Sequence, residues 1–312
     1  KCICNPGYSG KACNQSHSDG YWQTIDVTGE IQGRALHQSI FLNDSLWIVG
    51  GESFGKNAEK TEFMARYDFL LKKMTIVDID DERIKPRFGH SLAIYEGKIY
   101  MFGGMLKNGA VANDLWRFSD NFWTKLVDDF SRRKRCTDDF CSPLSSFGHT
   151  ANVVNDKMLI IFGYNPVYGH LNTVQEYDFK KRSWSLVKIN GALVSGGFGH
   201  TSVYYPEKNL IYVHGGYQNV GSQAIIVDLM YSFNPKKKTW KRLTPSHSPR
   251  YLHSSVIING LIYVYGGKAH NGTGELASDK CTLPKFLAYD IECDTWLNLK
   301  EPYIANKARY GH

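Results

Sequence analysis

The feature that most restricts the fold of this chain is a histidine that recurs at a near-constant interval. His37, His90, His149, His200, His253 and His312 follow one another at spacings of 53, 59, 51, 53 and 59 residues. The first five open the same order of signals, seen most plainly from Gly197 to Trp240, and the last starts a sixth. A short apolar run is followed by a polar turn and a second run that ends in paired glycines. A loop, a third run and a fourth run opening at tryptophan complete the unit. The glycine pairs are Gly50-Gly51, Gly103-Gly104, Gly215-Gly216 and Gly266-Gly267, with Gly163-Tyr164 as the departure. The tryptophans are Trp123, Trp184, Trp240 and Trp296, and Met74 takes their place in the first unit. Apolar and polar residues alternating over short β-branched and aromatic runs predict half-buried strands, four to a unit.

A lone four-stranded sheet cannot bury both its faces, so such units must stack. A period near fifty residues with four strands per unit resembles the kelch repeat. The resemblance implies an all-β fold, a six-bladed kelch-type β-propeller over residues 21–312. Five blades are complete and a truncated sixth opens at Arg309-Tyr310-Gly311-His312. Tyr21-Trp22-Gln23-Thr24-Ile25 is expected to supply that blade's outer strand, which would remove a free sheet edge. The paired glycines lack Cβ atoms, so a backbone or a ring can approach them closely. The tryptophans are expected to pack between blades. The histidines occupy one place in every unit and so would spread around an axis, whereas a metal needs converging ligands. Their expected role is structural, at the start of each inner strand.

Cys2-Ile3-Cys4-Asn5-Pro6-Gly7-Tyr8-Ser9-Gly10-Lys11-Ala12-Cys13 resembles the C-terminal half of an EGF-like module, a unit stapled by disulfides because its core is too small to hold it. The module would span 1–14, with a linker at 15–20. That likeness implies a Cys4–Cys13 bridge, with the partner of Cys2 upstream, and marks the chain as a piece of a longer protein. Length alone, 312 residues, would suggest two domains, but the repeat makes the remainder one array. The 37 Lys and Arg against 30 Asp and Glu leave a net charge of +7, too mild to argue for nucleic acid. No apolar run reaches the roughly 18 residues of a membrane helix, so any membrane attachment would use a segment outside these residues.

The remaining cysteines are expected to pair locally, Cys136 with Cys141 and Cys281 with Cys293, although four cysteines allow three connectivities. Asn14, Asn43 and Asn271 head N-glycosylation triplets in linker, turn and loop. Together with the EGF-like remnant they favour an extracellular chain. Arg132-Arg133-Lys134-Arg135 matches a convertase cleavage pattern, with a solvated basic loop as the plainer reading. Asp78, Asp80, Asp81 and Glu82 lack the spacing of a calcium loop. No nucleophile elbow, zinc-helix motif or phosphate-binding glycine loop occurs. The expectation is no catalysis and no cofactor.

Turns in an antiparallel blade alternate between its two ends. The first-to-second and third-to-fourth turns are short, whereas the long loops at 52–63, 127–146, 217–224 and 268–284 share the other end. Function concentrates on such loops over a rigid scaffold, so that end is the expected binding surface for a protein ligand or co-receptor. Phe162-Gly163-Tyr164-Asn165-Pro166-Val167-Tyr168-Gly169-His170, Val174-Gln175-Glu176-Tyr177-Asp178, Gly191-Ala192-Leu193-Val194 and Arg250-Tyr251-Leu252-His253 are similar to the attractin family. That resemblance implies the ectodomain of a single-pass membrane glycoprotein, an accessory receptor of the kind that regulates melanocortin and agouti signalling. Multiple-EGF proteins with kelch repeats are the nearest family alternative. Carbohydrate-active kelch enzymes, secreted kelch/EGF adhesion or matrix proteins and intracellular ubiquitin-ligase adaptors are the rival classes.

Overall fold

The computed structural model describes residues 8–9, 15–16, 25–53, 62–79, 81–126, 142–220, 223–269, 285–299 and 309–312. They contain five four-stranded antiparallel blades and no α-helix. Blade 1 is built from Gln38–Leu42, Ser45–Val49, Met64–Asp68 and Lys73–Val77. Blade 2 uses Ser91–Tyr95, Lys98–Phe102, Leu115–Ser119 and Phe122–Leu126, and blade 3 uses Thr150–Val154, Lys157–Ile161, Val174–Asp178 and Ser183–Leu186. Blade 4 comprises Thr201–Tyr205, Leu210–His214, Met230–Asn234 and Thr239–Leu243, and blade 5 Ser254–Ile258, Leu261–Tyr265, Phe286–Asp290 and Thr295–Asn298. Blades 1 to 3 belong to one compact unit (25–189, 195–198 and 312), blades 4 and 5 to a second with 1–24 and 190–194.

The turns follow local chemistry. Asn43 and Asp44, Glu96 and Gly97, and Asn259 and Gly260 all have positive φ, as a two-residue type I′ hairpin turn requires. At the same end of blades 1, 3 and 5 the residue ending the third strand caps the next turn. Asp68 Oδ1 accepts from the amides of Leu70 and Leu71, Asp178 Oδ1 from Lys180 and Lys181, and Asp290 Oδ1 from Glu292 and Cys293. These are Asx-type turns, which the short polar side chain supplies without secondary-structure partners.

Blades pack by the sheet faces that alternation leaves apolar. Between blades 1 and 2, Val49 and Met64 meet Ile99, Met101, Trp116 and Trp123. Between blades 2 and 3, Tyr100 and Phe102 meet Ile160, Tyr177 and Trp184, and Tyr212, Val264, Leu287 and Tyr289 belong to the core of blades 4 and 5. The repeat tryptophan reaches the preceding blade. Trp184 lies 4.8 Å from Phe102, Trp123 lies 6.2 Å from Phe63, and Trp296 lies 4.7 Å from His214, centroid to centroid.

The connection between blades runs outside the next outer strand. Asn190 pairs in parallel with Thr239, and Thr28 with Lys73. Each lies six residues after a tryptophan in the sequence, Trp184 and Trp22. The expected divided sixth blade is not among the described strands: Ile25 and Arg309–His312 are in no strand, and Tyr21–Thr24 lie outside the described residues. In the EGF-like stretch Tyr8–Ser9 pairs with Gln15–Ser16, while Cys2, Cys4, Cys13 and Asn14 lie outside the described residues.

Candidate functional site

The histidines organise the end of the blades from which the long loops project. The residue before each one has positive φ: Leu36, Gly89, Gly148, Gly199, Leu252 and Gly311 lie between 56° and 69°. Its amide donates to the same place in the preceding repeat, from Gly89 to Leu36 and Gly148 to Gly89 in one unit, and from Leu252 to Gly199 and Gly311 to Leu252 in the other. The glycine pairs fit around the rings. A Cβ on Gly50 or Gly103 would come within 3 Å of the ring of the next repeat's histidine, His90 or His149. One on Gly51, Gly104 or Gly267 would meet the Cβ of its own repeat's histidine, His37, His90 or His253. The second glycine's amide donates to the carbonyl three residues before the next histidine, as Gly104 does to Ser146 and Gly216 to Arg250.

Burial drives the ring pKa values down. His37 and His149 fall to about 4 and His214 to about 3, because an apolar site disfavours the cation. Arg34 adds repulsion at His37, and Arg250 does so at His214. Ser91 Oγ lies 2.9 Å from His149 Nε2, and Thr201 Oγ1 2.9 Å from His253 Nε2. A hydroxyl beside an imidazole suggests a nucleophile and its base, but Ser91 and His149 are both buried in the blade contact, beyond a substrate's reach. The pair ties neighbouring blades together. The equivalent residue before His90 is Gln38, and His90 has no hydrogen-bond partner at either nitrogen among the described residues. Gln38→Thr is therefore expected to add about 1 kcal/mol by satisfying a buried polar group, read as a higher denaturation midpoint in urea; a lower midpoint counts against the repeat rule.

Three residues before the histidine stands an arginine in four repeats, a signal that the sequence reading passed over. Arg34 bonds Gly50 O and Glu62, and Arg87 bonds Gly103 O and Asp114. Each clamps the glycine pair to the start of the third strand. Arg250 makes the same reach to Gly266 O and Lys285 O, with no carboxylate among the described residues.

Between arginine and histidine lies an aromatic position, and this forms the candidate surface. In the first unit Phe88, Phe147 and Phe198 are half-buried, with centroids 5.7 Å and 5.8 Å apart in succession. His170 lies 5.5 Å from Phe198, and Tyr164 5.8 Å from His170. Tyr164–Asn165 and Gly169–His170 form a small hairpin whose tip exposes Val167 and Tyr168. Buried Asn165 braces it. Its Nδ2 donates to Ser145 O and Oγ, and its Oδ1 accepts from the amides of Val167 and Tyr168. In the second unit Tyr217 lies 5.5 Å from Tyr251, and Lys268 Nζ sits 3.7 Å over the Tyr310 ring, a cation–π contact.

The model of the Attractin/LZTR1 β-propeller family matches residues 46–312. The chain belongs to that family. Its fold is therefore a kelch-type β-propeller. It is 31% identical to protein tag-53 of Caenorhabditis elegans over 97% of this chain and 23% of that protein. It is 26% identical to multiple epidermal growth factor-like domains protein 8 of Mus musculus, over 88% of this chain and 10% of the relative. Leucine-zipper-like transcriptional regulator 1 homolog of Drosophila melanogaster is 23% identical over 81% of the chain and 26% of its own length. The chain thus spans about a quarter or less of these relatives. As a family member it is a β-propeller protein-interaction module.

The other expected sites divide by position. Asn43 is exposed in its turn, while Asn271 lies outside the described residues. Cys293 is buried at the third-to-fourth turn of blade 5; Cys136, Cys141, Cys281 and Arg132–Arg135 lie outside. Of the long loops, the described part of 217–224 forms a hairpin, Tyr217–Val220 with Gln223–Ile226. Most of 127–146 and 268–284, and 54–61 of the first, lie outside. Among the described residues no group of three or more potential ligands could hold a metal ion, and no helix is long and apolar enough to cross a membrane.

Proposed function

We propose that this propeller is a non-enzymatic extracellular interaction module of an attractin-like single-pass membrane glycoprotein, an accessory receptor that binds a protein ligand or co-receptor at the loop end of blades 2 and 3. The observation that carries this is the row Phe88, Phe147 and Phe198 beside the braced tip of Val167 and Tyr168. Aromatic and apolar groups held in place before a partner arrives lose little entropy on binding, and they dominate interface energies. The extracellular setting rests on the glycosylation triplets at Asn14, Asn43 and Asn271 and on the EGF-like cysteine pattern, in keeping with the name of the mouse relative. A secreted adhesion or matrix protein is the second reading, favoured by the same triplets and cysteines. It differs in lacking a membrane span elsewhere in the protein.

The test is proximity labelling from outside cells that display the whole protein. The double substitution Val167→Asp and Tyr168→Asp is expected to cut recovery of the labelled partner about thirtyfold or more, taking roughly 2 kcal/mol for a lost hot spot. Lys181→Asp, at the opposite end of blade 3, should leave it unchanged. Undiminished labelling with the double variant removes the proposed surface, and saturable turnover of a sugar by the purified protein removes the non-enzymatic reading.

A further inference from the structure

The turn between the third and fourth strands is capped by a carboxylate in three blades, and that carboxylate also offsets nearby charge. Asp68, Asp178 and Asp290 end their third strands and accept from amides of the turn that follows. In blade 3 the turn holds Lys180 and Lys181, and each has an acidic partner: Lys180 pairs with Asp156 and Lys181 with Asp178. Blade 4 keeps the turn and drops the charge. Asn234 stands at the same place, and its Oδ1 accepts from the amide of Lys237 at 2.8 Å, while the amide of Lys238 donates to Asn234 O at 2.7 Å. A neutral amide supports such a turn as a carboxylate does, so the exchange removes an anion and keeps the hydrogen bond.

The cations around that turn are unanswered. Lys236, Lys237 and Lys238 lie in the turn and Lys241 and Arg242 in the outer strand, all of them exposed. None of the five has a carboxylate partner among the described residues. From Thr201 to Leu243 the sequence has six cations against two anions, Glu207 and Asp228, a net of +4 in a chain of +7. Of the six, Lys208 pairs with Glu292 at 2.6 Å. Counted the same way from first strand to last, the other four blades lie between −2 and +1. The segment beside the outer strand does not offset the charge. Asn190–Gly191 runs along Thr239 and Trp240, with the amides of Asn190 and Ala192 donating to Lys238 O and Trp240 O, and 190–194 hold no charged residue. Those bonds occupy the backbone of the edge, so what the rim offers a ligand is side-chain charge.

We propose that this rim of blade 4, Lys236, Lys237, Lys238, Lys241 and Arg242, binds a sulfated polysaccharide, a ligand other than the protein partner of blades 2 and 3. Lys238 to Arg242 span about 13 Å at roughly 3.3 Å per residue, so the charges form a line, which matches a chain of repeated sulfates better than a single anion. Successive strand residues point to opposite faces, so Lys241 and Arg242 flank the rim, and a chain running along the edge meets both. Single-stranded nucleic acid would need exposed rings on which bases stack, but Tyr231, Phe233 and Trp240 of this edge are buried. A membrane surface would need an apolar face to insert, but the large apolar group exposed beside the rim is one leucine, Leu193. The choice of a sulfated chain rests on the extracellular reading above, because such chains lie outside cells.

Binding of the whole protein to heparin tests this. Retention on immobilised heparin at physiological salt is expected, with elution by added salt, because the contact releases counterions, and desulfated heparin should not compete. Asn234→Asp keeps the turn's hydrogen bond and restores the carboxylate of the other blades; it should weaken heparin binding about fivefold, the effect of cancelling one cation at an anionic surface. The triple variant Lys236→Gln, Lys237→Gln and Lys241→Gln should weaken it on the order of a hundredfold. Lys180→Gln with Lys181→Gln, whose charges are already paired, should leave it unchanged. Undiminished binding by the triple variant overturns the site. Equal affinity for phosphatidylserine vesicles or single-stranded DNA at the same salt overturns the polysaccharide as its ligand. A membrane-impermeant label applied to intact cells reads the extracellular setting separately. Labelled protein that does not bind heparin overturns the site alone, whereas unlabelled protein that binds heparin overturns the extracellular reading and the sulfated ligand with it.

Discussion

Arg87→Met is expected to destabilise the protein by about 3–5 kcal/mol, the range for removing one partner of a buried ion pair. The guanidinium is buried, with Nη1 2.5 Å from Asp114 Oδ1 and 3.1 Å from Gly103 O, and Nη2 3.1 Å from Asp114 Oδ2. Burial pushes the Asp114 carboxyl up, yet the hydrogen bonds and charge of Arg87 outweigh it and hold the group below its ordinary value. Without Arg87 the described partner left to Asp114 is Trp116 Nε1 at 2.6 Å, and the desolvation cost is no longer offset. The third strand then also loses its tie to the glycine pair. Urea denaturation measures the loss. The double variant Arg87→Met with Asp114→Leu should recover most of it, because no charge is then buried alone. A cost below about 1 kcal/mol for the single variant would mean that the pair is solvated and that the clamp does not hold the blade.

Acid is expected to weaken the fold well before the carboxylates titrate. The rings of His37, His149 and His214 have folded pKa values of about 4, 4 and 3, against about 6.5 in an unfolded chain. A depressed histidine pKa means that the unfolded state binds the proton more readily. Its stabilising contribution is complete above the unfolded value and is lost as pH falls from about 6.5 toward 4. At pH 5 each of these rings costs roughly 2 kcal/mol, and the three together on the order of 6 kcal/mol, a large part of an ordinary domain's 5–15 kcal/mol. Calorimetric Tm values should therefore fall steeply between pH 7 and pH 5. Asp114, which Arg87 holds below the ordinary carboxylate value, keeps its ion pair in that window, which separates its loss from the histidine effect. A Tm that is constant from pH 7 to pH 5 would mean that the rings are charged or hydrated in the folded protein.

Most of the architecture was legible because it is local. Alternation over five residues makes a strand, and pairs such as Asn43-Asp44 and Asn259-Gly260 accept the positive φ of a tight hairpin. The glycine pairs were legible as places of close approach, though not which ring approaches. The candidate surface was harder to find. Loop length directed attention to 52–63, 127–146, 217–224 and 268–284, whereas Tyr164–His170 is short and owes its definition to the buried amide of Asn165. The arginine clamps left a signal, an arginine three residues before the histidine, but its carboxylate partner lies 27 or 28 residues away at no marked position.

By itself, then, the sequence determined the number of complete blades, the order of their strands and the placement of their turns, since each depends on residues within a few positions of one another. Tertiary structure decided what the repeated residues do. Ser91 and His149 are 58 positions apart, and Tyr95 and Asp156 are 61 apart. The period cannot say which face of one blade meets which face of the next. That choice belongs to packing: Gly50 and Gly103 admit the neighbouring imidazole, and Phe179 lies flat on Tyr95, because only the stacked sheets bring those surfaces out of water.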